Sequence, residues 1–339
     1  MSVTPEPLLV IEDLSVEFQT RHGPARVLDR INLTLGAGET LGIIGESGCG
    51  KSMTALAVMR LFPVPPGRVA GGRVHFRGRD LLGLPAEEMR QIRGNAITMI
   101  FQEPMTSLNP VYTVGEQIAE TVRLHMGLGR REAARHAVEM LRAVGIPAPE
   151  RRVDDYPHQL SGGMRQRVMI AIALACKPEI IIADEPTTAL DVTVQAQIFD
   201  LLREVREKTG TSMILITHDI GAIAQTADRV AVMYAGRVVE EGPVEAILDD
   251  PRHPYTRGLI ACVPHILETV DDDPPPLEEI PGVVPPLWEL GHGCAFAERC
   301  RYAMPACRER RPALSQVTED HRVACLLNER AAQSMEVVS

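Results

Sequence analysis

An α/β fold built around a phosphate-binding loop is what this sequence predicts, and three observations carry the prediction. Gly45-Glu46-Ser47-Gly48-Cys49-Gly50-Lys51-Ser52 fits the pattern G-x-x-x-x-G-K-[ST] at every position. The motif lies between an apolar run, Thr40–Ile44, that reads as a buried strand, and Ser52–Leu61, which reads as a helix. Two further apolar runs end in Asp184-Glu185 and in Thr217-His218-Asp219. Polar groups therefore collect at the carboxyl ends of strands, where open α/β sheets take their ligands.

In such a loop the glycines let successive backbone N–H groups wrap a phosphate, and the following helix N-terminus adds a favourable field. Lys51 is expected to reach the β- and γ-phosphates, and Ser52 to set its hydroxyl on Mg²⁺. Lysine is scarce here, with Lys51, Lys177 and Lys208 against 32 arginines, so a chance basic residue at position 51 would have been arginine. The alternative is a glycine-rich turn without nucleotide, and the strand–loop–helix context argues against it.

The 339 residues suit one large or two smaller domains, and 45% hydrophobic with 24% charged residues is ordinary globular composition. A net charge of −10 argues against non-specific nucleic-acid binding. The first seven residues, Met1-Ser-Val-Thr-Pro-Glu-Pro7, lack the basic and apolar regions of a signal peptide. The longest apolar run, Val168–Cys176, is too short to span a bilayer. A cytosolic setting is expected, and seven cysteines there read as thiols or ligands rather than disulfides.

In chain order, Leu14, Val16 and Phe18 alternate with polar residues, as do Ile31, Leu33 and Leu35, so two half-buried strands flank the turn-rich stretch Arg21–Ala25. Phe18 serves either as an adenine-stacking ring or as a packing residue. Pro63–Gly67 reads as a loop, Arg73–Phe76 as a short strand, and Ala96–Phe101 as a buried strand ending at Gln102. Between Pro104 and Pro157 the period turns helical over Val114–His125 and Arg131–Val144. Leu160-Ser161-Gly162-Gly163-Met-Arg-Gln166 then leads into an apolar helix over Val168–Cys176; alone, Ser-Gly-Gly is a helix cap that could also hold an anion. Ile180–Glu185 reads as a buried strand whose Asp184 can hold a Mg²⁺ shell and whose Glu185 can orient or deprotonate water. His218, after the strand Met213–Ile216, can meet a γ-phosphate or be structural.

Taken together these pieces resemble the ATP-binding subunits of ABC transporters, because Gly45–Ser52, Gln102, Leu160–Gln166, Asp184–Glu185 and His218 occur in that family's order. The resemblance covers about Leu8 to Leu248. It implies a P-loop ABC ATPase core over 1–250, with an antiparallel β subdomain and a helical insertion at about 104–160. It also implies the roles: Lys51 and Ser52 in the loop, Gln102 as a sensor that also meets the Mg²⁺, and Ser161, Gly162 and Gly163 as the signature. Asp184 becomes the Mg²⁺-shell acid, Glu185 the catalytic base, His218 the switch, and Asp191 the end of a D-loop beginning at Thr188. In the family two subunits close head to tail around ATP, each signature completing the other's loop.

Phe101-Gln-Glu-Pro-Met-Thr-Ser-Leu-Asn-Pro110 and the tail over 251–339 further resemble the D-type ATPases of dipeptide, oligopeptide and nickel importers. That resemblance implies ATP and Mg²⁺ as ligands and peripheral residence on the cytoplasmic face of the inner membrane. It also implies a second, different ATPase subunit, two permease subunits and an extracytoplasmic solute-binding protein as partners. An importer of nickel or another small solute, or a non-transport ABC ATPase, is the alternative. Asp271–Pro276 reads as a stiff acidic linker. Beyond it Cys294, Cys300, Cys307 and Cys325 are spaced C-x5-C-x6-C-x17-C, unlike the paired C-x2-C of zinc ribbons. Some members of the peptide-importer family hold a 4Fe-4S cluster on a similar pattern; zinc or unliganded thiols remain the alternatives.

Overall fold

Buried strands form where the apolar runs fall in the computed structural model, which describes residues 6–188, 190–262 and 279–329. The expected linker Asp271–Pro276 and Ala189 of the D-loop lie outside the described residues. The chain folds into two units. The first takes in residues up to Val10, Thr34–Thr40 and His75–Thr217; the second takes in Ile11–Leu33, Leu41–Val74 and the chain from His218 onward.

In the first unit three parallel strands, Ile97–Ile100, Ile180–Asp184 and Ser212–Ile216, lie in that order, with Ile97 opposite Ile180 and Asp184 opposite Ile216. Every residue of the last two is buried, as expected of continuous apolar runs in a parallel sheet. The helical stretch contains Val114–Met126, which Thr113 caps by accepting from the Glu116 N–H at 3.2 Å. Val114, Ile118 and Val122 make its buried stripe. In the neighbouring helix Arg130–Ala143, Ala133, Ala137 and Leu141 recur every four residues on the buried face.

The signature helix runs Gly162–Leu174, so it begins six residues before the apolar run at Val168. The difference has a physical cause: Ser161 sets the start by accepting the Met164 N–H, whereas apolar periodicity reports only the part that faces the core.

The strands Leu9–Thr20 and Gly23–Leu35, whose residues Ile11–Thr20 and Gly23–Leu33 belong to the second unit, form a hairpin turned by Arg21 and His22 alone. Gly67–Phe76 lies beside it; this strand is longer than Arg73–Phe76 because residues 68–73 are exposed and carry no apolar alternation. The strand Thr40–Ile44 matches its expected bounds and pairs in parallel with Arg229–Tyr234, from Leu41 opposite Arg229 to Ile44 opposite Val232. Arg237–Pro243 follows antiparallel, and the two-residue strands Arg322–Val323 and Ser315–Gln316 extend the sheet beyond it. Residues of the tail thus hydrogen-bond directly to a core strand, with Glu240 opposite Val323. The loop helix spans Lys51–Val58 and stops short of Leu61, because Arg60 turns left-handed at φ 50°. Among the described residues no helix is long and apolar enough to cross a membrane.

Candidate functional site

The phosphate loop owes its shape to its glycines. Gly45 has φ 149°, and a Cβ there would collide with the Met233 carbonyl oxygen, so no other residue fits. Gly48 and Gly50 also have positive φ, at 77° and 108°. Ser47 and Gly48 are exposed at the loop's outer edge, while Cys49 is buried and burial pushes its thiol pKa up. Lys51 is 6% exposed and folds back over the loop, its Nζ donating to the carbonyls of Gly45 at 2.7 Å and Glu46 at 3.1 Å. Ser52 stands half-buried at the helix start.

His218 and Phe18 belong to the same unit as this loop. His218 is exposed, just before Asp219, which caps the helix Ile220–Thr226 by accepting the Ala222 N–H at 3.0 Å. Phe18 is half-buried, its ring centroid 6.1 Å from that of Phe62 and close against Gly67.

The remaining motif residues lie in the first unit. Asp184 is 5% exposed at the end of its strand. Glu185 follows in the left-handed region at φ 46°, a strained setting for a residue with a side chain, and its N–H is tied to the Ile216 carbonyl at 2.8 Å. The bend presents the Glu185 carboxylate to two donors: the Gln102 amide at 2.8 Å and the Thr188 hydroxyl at 3.0 Å. Residues 83 positions apart therefore meet at one oxygen.

The signature forms a neighbouring group. A Cβ on Gly163 would press on Val194, so that glycine admits the helix after Asp191, whereas one on Gly162 would make only ordinary contact with Leu190. Asp191 caps that helix, Val192–Thr209, by accepting the Val194 N–H at 3.0 Å.

Three further residues around the phosphate loop were not anticipated. The Glu46 N–H donates to the Tyr255 hydroxyl at 2.8 Å, and Arg299 grips the Glu46 carboxylate with both terminal nitrogens, at 2.7 and 2.9 Å. Tyr234 stacks edge-on to Tyr255 and Phe296 beside them. Nothing in the sequence signals a pair 253 residues apart.

Cys294, Cys300, Cys307 and Cys325 line a single pocket with His253, Phe296 and Leu326. Burial pushes the Cys294 thiol up to about 11 and raises Cys300 and Cys325 as well, the neighbouring thiols adding to the effect. Among the described residues no three His, Cys, Asp or Glu side chains are gathered closely enough to hold a metal ion. The expected iron–sulfur ligation thus has a shared pocket in its favour, and no ligand geometry.

Comparison with known proteins agrees with this layout. Residues 28–188 match the ABC transporter family model, and residues 239–307 match the oligopeptide/dipeptide transporter C-terminal region. The chain is 53% identical over 318 residues to a probable peptide ABC transporter ATP-binding protein of Sinorhizobium fredii, covering 94% of each. It is 49% identical over 329 residues to the oligopeptide transport ATP-binding protein OppD of Bacillus subtilis, covering 97% of this chain and 91% of that one. Among solved structures it resembles the ATP-binding cassette MJ0796 in a dimeric post-hydrolysis state with ADP and phosphate. There the TM-score is 0.63 at 29% identity, over 70% of this chain and 98% of that one. A phosphate loop shaped by obligatory glycines, a strand-end acid pair, a capped signature helix and relatives matched along nearly the whole length lead to one conclusion: the chain belongs to the ATP-binding proteins of ABC transporters, in the branch that carries the oligopeptide/dipeptide transporter C-terminal region.

Proposed function

We propose that the chain is the ATP-hydrolysing subunit of a transporter that imports peptides. The observation that carries this reading is the union, in one chain, of the cassette and the oligopeptide/dipeptide C-terminal region, in relatives named for peptide transport. Lys51 and the loop N–H groups between Gly45 and Ser52, apart from that of Glu46, which goes to Tyr255, hold the triphosphate, exchanging the carbonyl contacts of Lys51 for phosphate oxygens. Glu185 accepts a proton from water as the water oxygen bonds to the γ-phosphorus and the bond to the ADP oxygen breaks. Gln102 holds the Glu185 carboxylate in place and His218 meets the γ-phosphate. Phe18 is assigned to the adenine, and Ser161, Gly162, Gly163 and Asp191 to the nucleotide of the opposing subunit. Ser52, Gln102 and Asp184 are assigned to Mg²⁺ by their chemistry, a hydroxyl, an amide oxygen and a carboxylate being hard oxygen donors of the kind that suits it, and the ion when bound would neutralise phosphate charge.

The partners in this reading are a second, different ATPase, two permeases that place the chain at the cytoplasmic membrane face, and an external solute-binding protein. The four-cysteine pocket is read as the seat of a 4Fe-4S cluster, because four soft thiols line one pocket. A cluster spaces its thiolates more widely than a single zinc ion does, and it would supply cross-linking of the tail rather than catalysis. The test is reconstitution of the whole transporter in vesicles. ATP hydrolysis should rise when peptide-loaded binding protein is added; stimulation by a nickel-loaded binding protein with none by peptide would overturn the cargo assignment.

A further inference from the structure

Every polar group of Glu46 is engaged. Its N–H goes to Tyr255, its carbonyl to Lys51, and its carboxylate to Arg299. Glu46 is the second residue of the loop assigned above to the triphosphate, and a free carboxylate there would repel a ligand carrying several negative charges. The Arg299 side chain is 6% exposed: its Nε donates to the Pro281 carbonyl of the tail at 2.8 Å, and its guanidinium lies 5.8 Å from the ring centres of both Tyr234 and the tail's Phe296. The guanidinium is thus pre-set by tail residues and by Tyr234, and the carboxylate it holds belongs to the loop. Two parallel N–H···O bonds fix orientation as well as charge. An ion pair made only for stability could sit anywhere on the tail's contact surface; this one terminates on the phosphate loop.

We infer that Arg299 is a positioning residue of the phosphate loop, neutralising and orienting Glu46 so that the C-terminal region is needed for tight binding of the triphosphate. This rests on the reading of Gly45–Ser52 as the ATP loop. The tail then contributes to the ATPase site itself.

The experiment measures Mg-ATP affinity of the full-length chain by titration calorimetry, with thermal melts confirming that each variant is folded. Arg299→Met keeps the apolar stem over the two rings but removes the charge, and should weaken binding on the order of tenfold at low salt. The loss should shrink as salt is raised, because exposed-charge repulsion is screened. Glu46→Gln added to Arg299→Met should recover most of the affinity, since no carboxylate remains to neutralise; a purely structural tie predicts no recovery. Arg299→Lys keeps the charge without the two-nitrogen fork, so it should bind more tightly than Arg299→Met, more weakly than the wild type, and with a salt slope near the wild type's. Should Arg299→Met fail to fold, Arg299→Lys alone and combined with Glu46→Gln decides, an affinity equal to the wild type's in the single variant or no gain in the double variant counting against the inference. It is overturned if Arg299→Met binds Mg-ATP as the wild type does, or if the double variant is as weak as Arg299→Met. Failure of the wild-type chain to bind, or normal binding by Lys51→Ala, would instead overturn the ATP-loop reading.

Discussion

At Glu185 a left-handed backbone, a buried strand and a long-range side chain converge. The bend at φ 46° costs about 1–3 kcal/mol, and the Ile216 carbonyl and Gln102 amide hold it against relaxation. Glu185→Gln keeps the size and the Thr188 contact but removes the carboxylate proposed above as the base. ATP hydrolysis by the assembled transporter should fall roughly 10²–10⁴-fold, while Mg-ATP affinity of the chain stays within about threefold of wild type. Single-turnover hydrolysis and equilibrium titration check the two halves separately, and normal turnover would remove Glu185 from the proton-accepting role.

Among the elements, the strand Arg237–Pro243 shows how the tail is fastened. Glu240 and Glu241 are adjacent, and both are buried. Glu240 accepts from the Arg252 N–H at 2.6 Å, the His253 N–H at 2.9 Å and His321 Nε2 at 2.8 Å, while Glu241 pairs with Arg229 and Arg322. Burial alone would raise the Glu240 pKa, and the donors outweigh it, so the carboxyl titrates below its ordinary value. Because the folded pKa is depressed, the stabilisation is present above the unfolded pKa, near 4.5, and is lost as pH falls through the folded one. Glu240→Ala should cost about 3 kcal/mol and make the tail more sensitive to protease. Glu240→Gln should flatten the acid limb of the stability profile, as followed by urea unfolding between neutral pH and pH 3. The cysteine pocket is the second fastening in the proposed reading. Chain purified without oxygen should carry iron and acid-labile sulfide in roughly equal amounts, as a four-iron, four-sulfur centre requires. Cys294→Ser should lower both, whereas Cys176→Ser leaves them unchanged; colourless protein with four titratable thiols would leave the tail to Glu240, Glu241 and Arg299.

At the scale of the whole molecule the question is which residues serve the chain's own nucleotide and which serve its partner's. Ser161 is spent locally as a helix cap, yet it is exposed, as is the neighbouring Gly162. If the signature completes the opposing subunit's loop, Ser161→Arg and Lys51→Ala in this chain disable different sites. Mixed transporters carrying one lesion per ATPase should then show that Ser161→Arg here matches a loop-lysine lesion in the partner, with little further loss when the two are combined. The isolated chain should hydrolyse ATP slowly, and the rate should rise when the second ATPase and the permeases are added.

The motifs were legible in the sequence because each is local. A phosphate loop needs glycines and a lysine at fixed spacing, a buried parallel strand needs consecutive apolar residues, and a cap needs Ser or Asp at one position. Hence Thr40–Ile44, Ile180–Asp184 and the Ser161 cap could be placed from residue types alone and the family from the order of the motifs, whereas Asp191 entered only through that family's D-loop and its cap is seen in the structure. The strand Arg229–Tyr234 was missed although Val230-Ala-Val-Met-Tyr234 carries its signal, and residues 67–72 gave none, being largely polar or small and mostly exposed. Other features belonged to the tertiary structure. Two consecutive glutamates look like a solvated loop until residues 252, 253, 321 and 322 arrive to satisfy them. Gln102 acquires its partner 83 positions later, and Arg299 closes on Glu46 from 253 positions away. Local pattern determines which backbone and which chemistry a stretch can offer; the partner of a buried charge is set by the lowest-cost burial of the whole chain, and no window of sequence contains that choice.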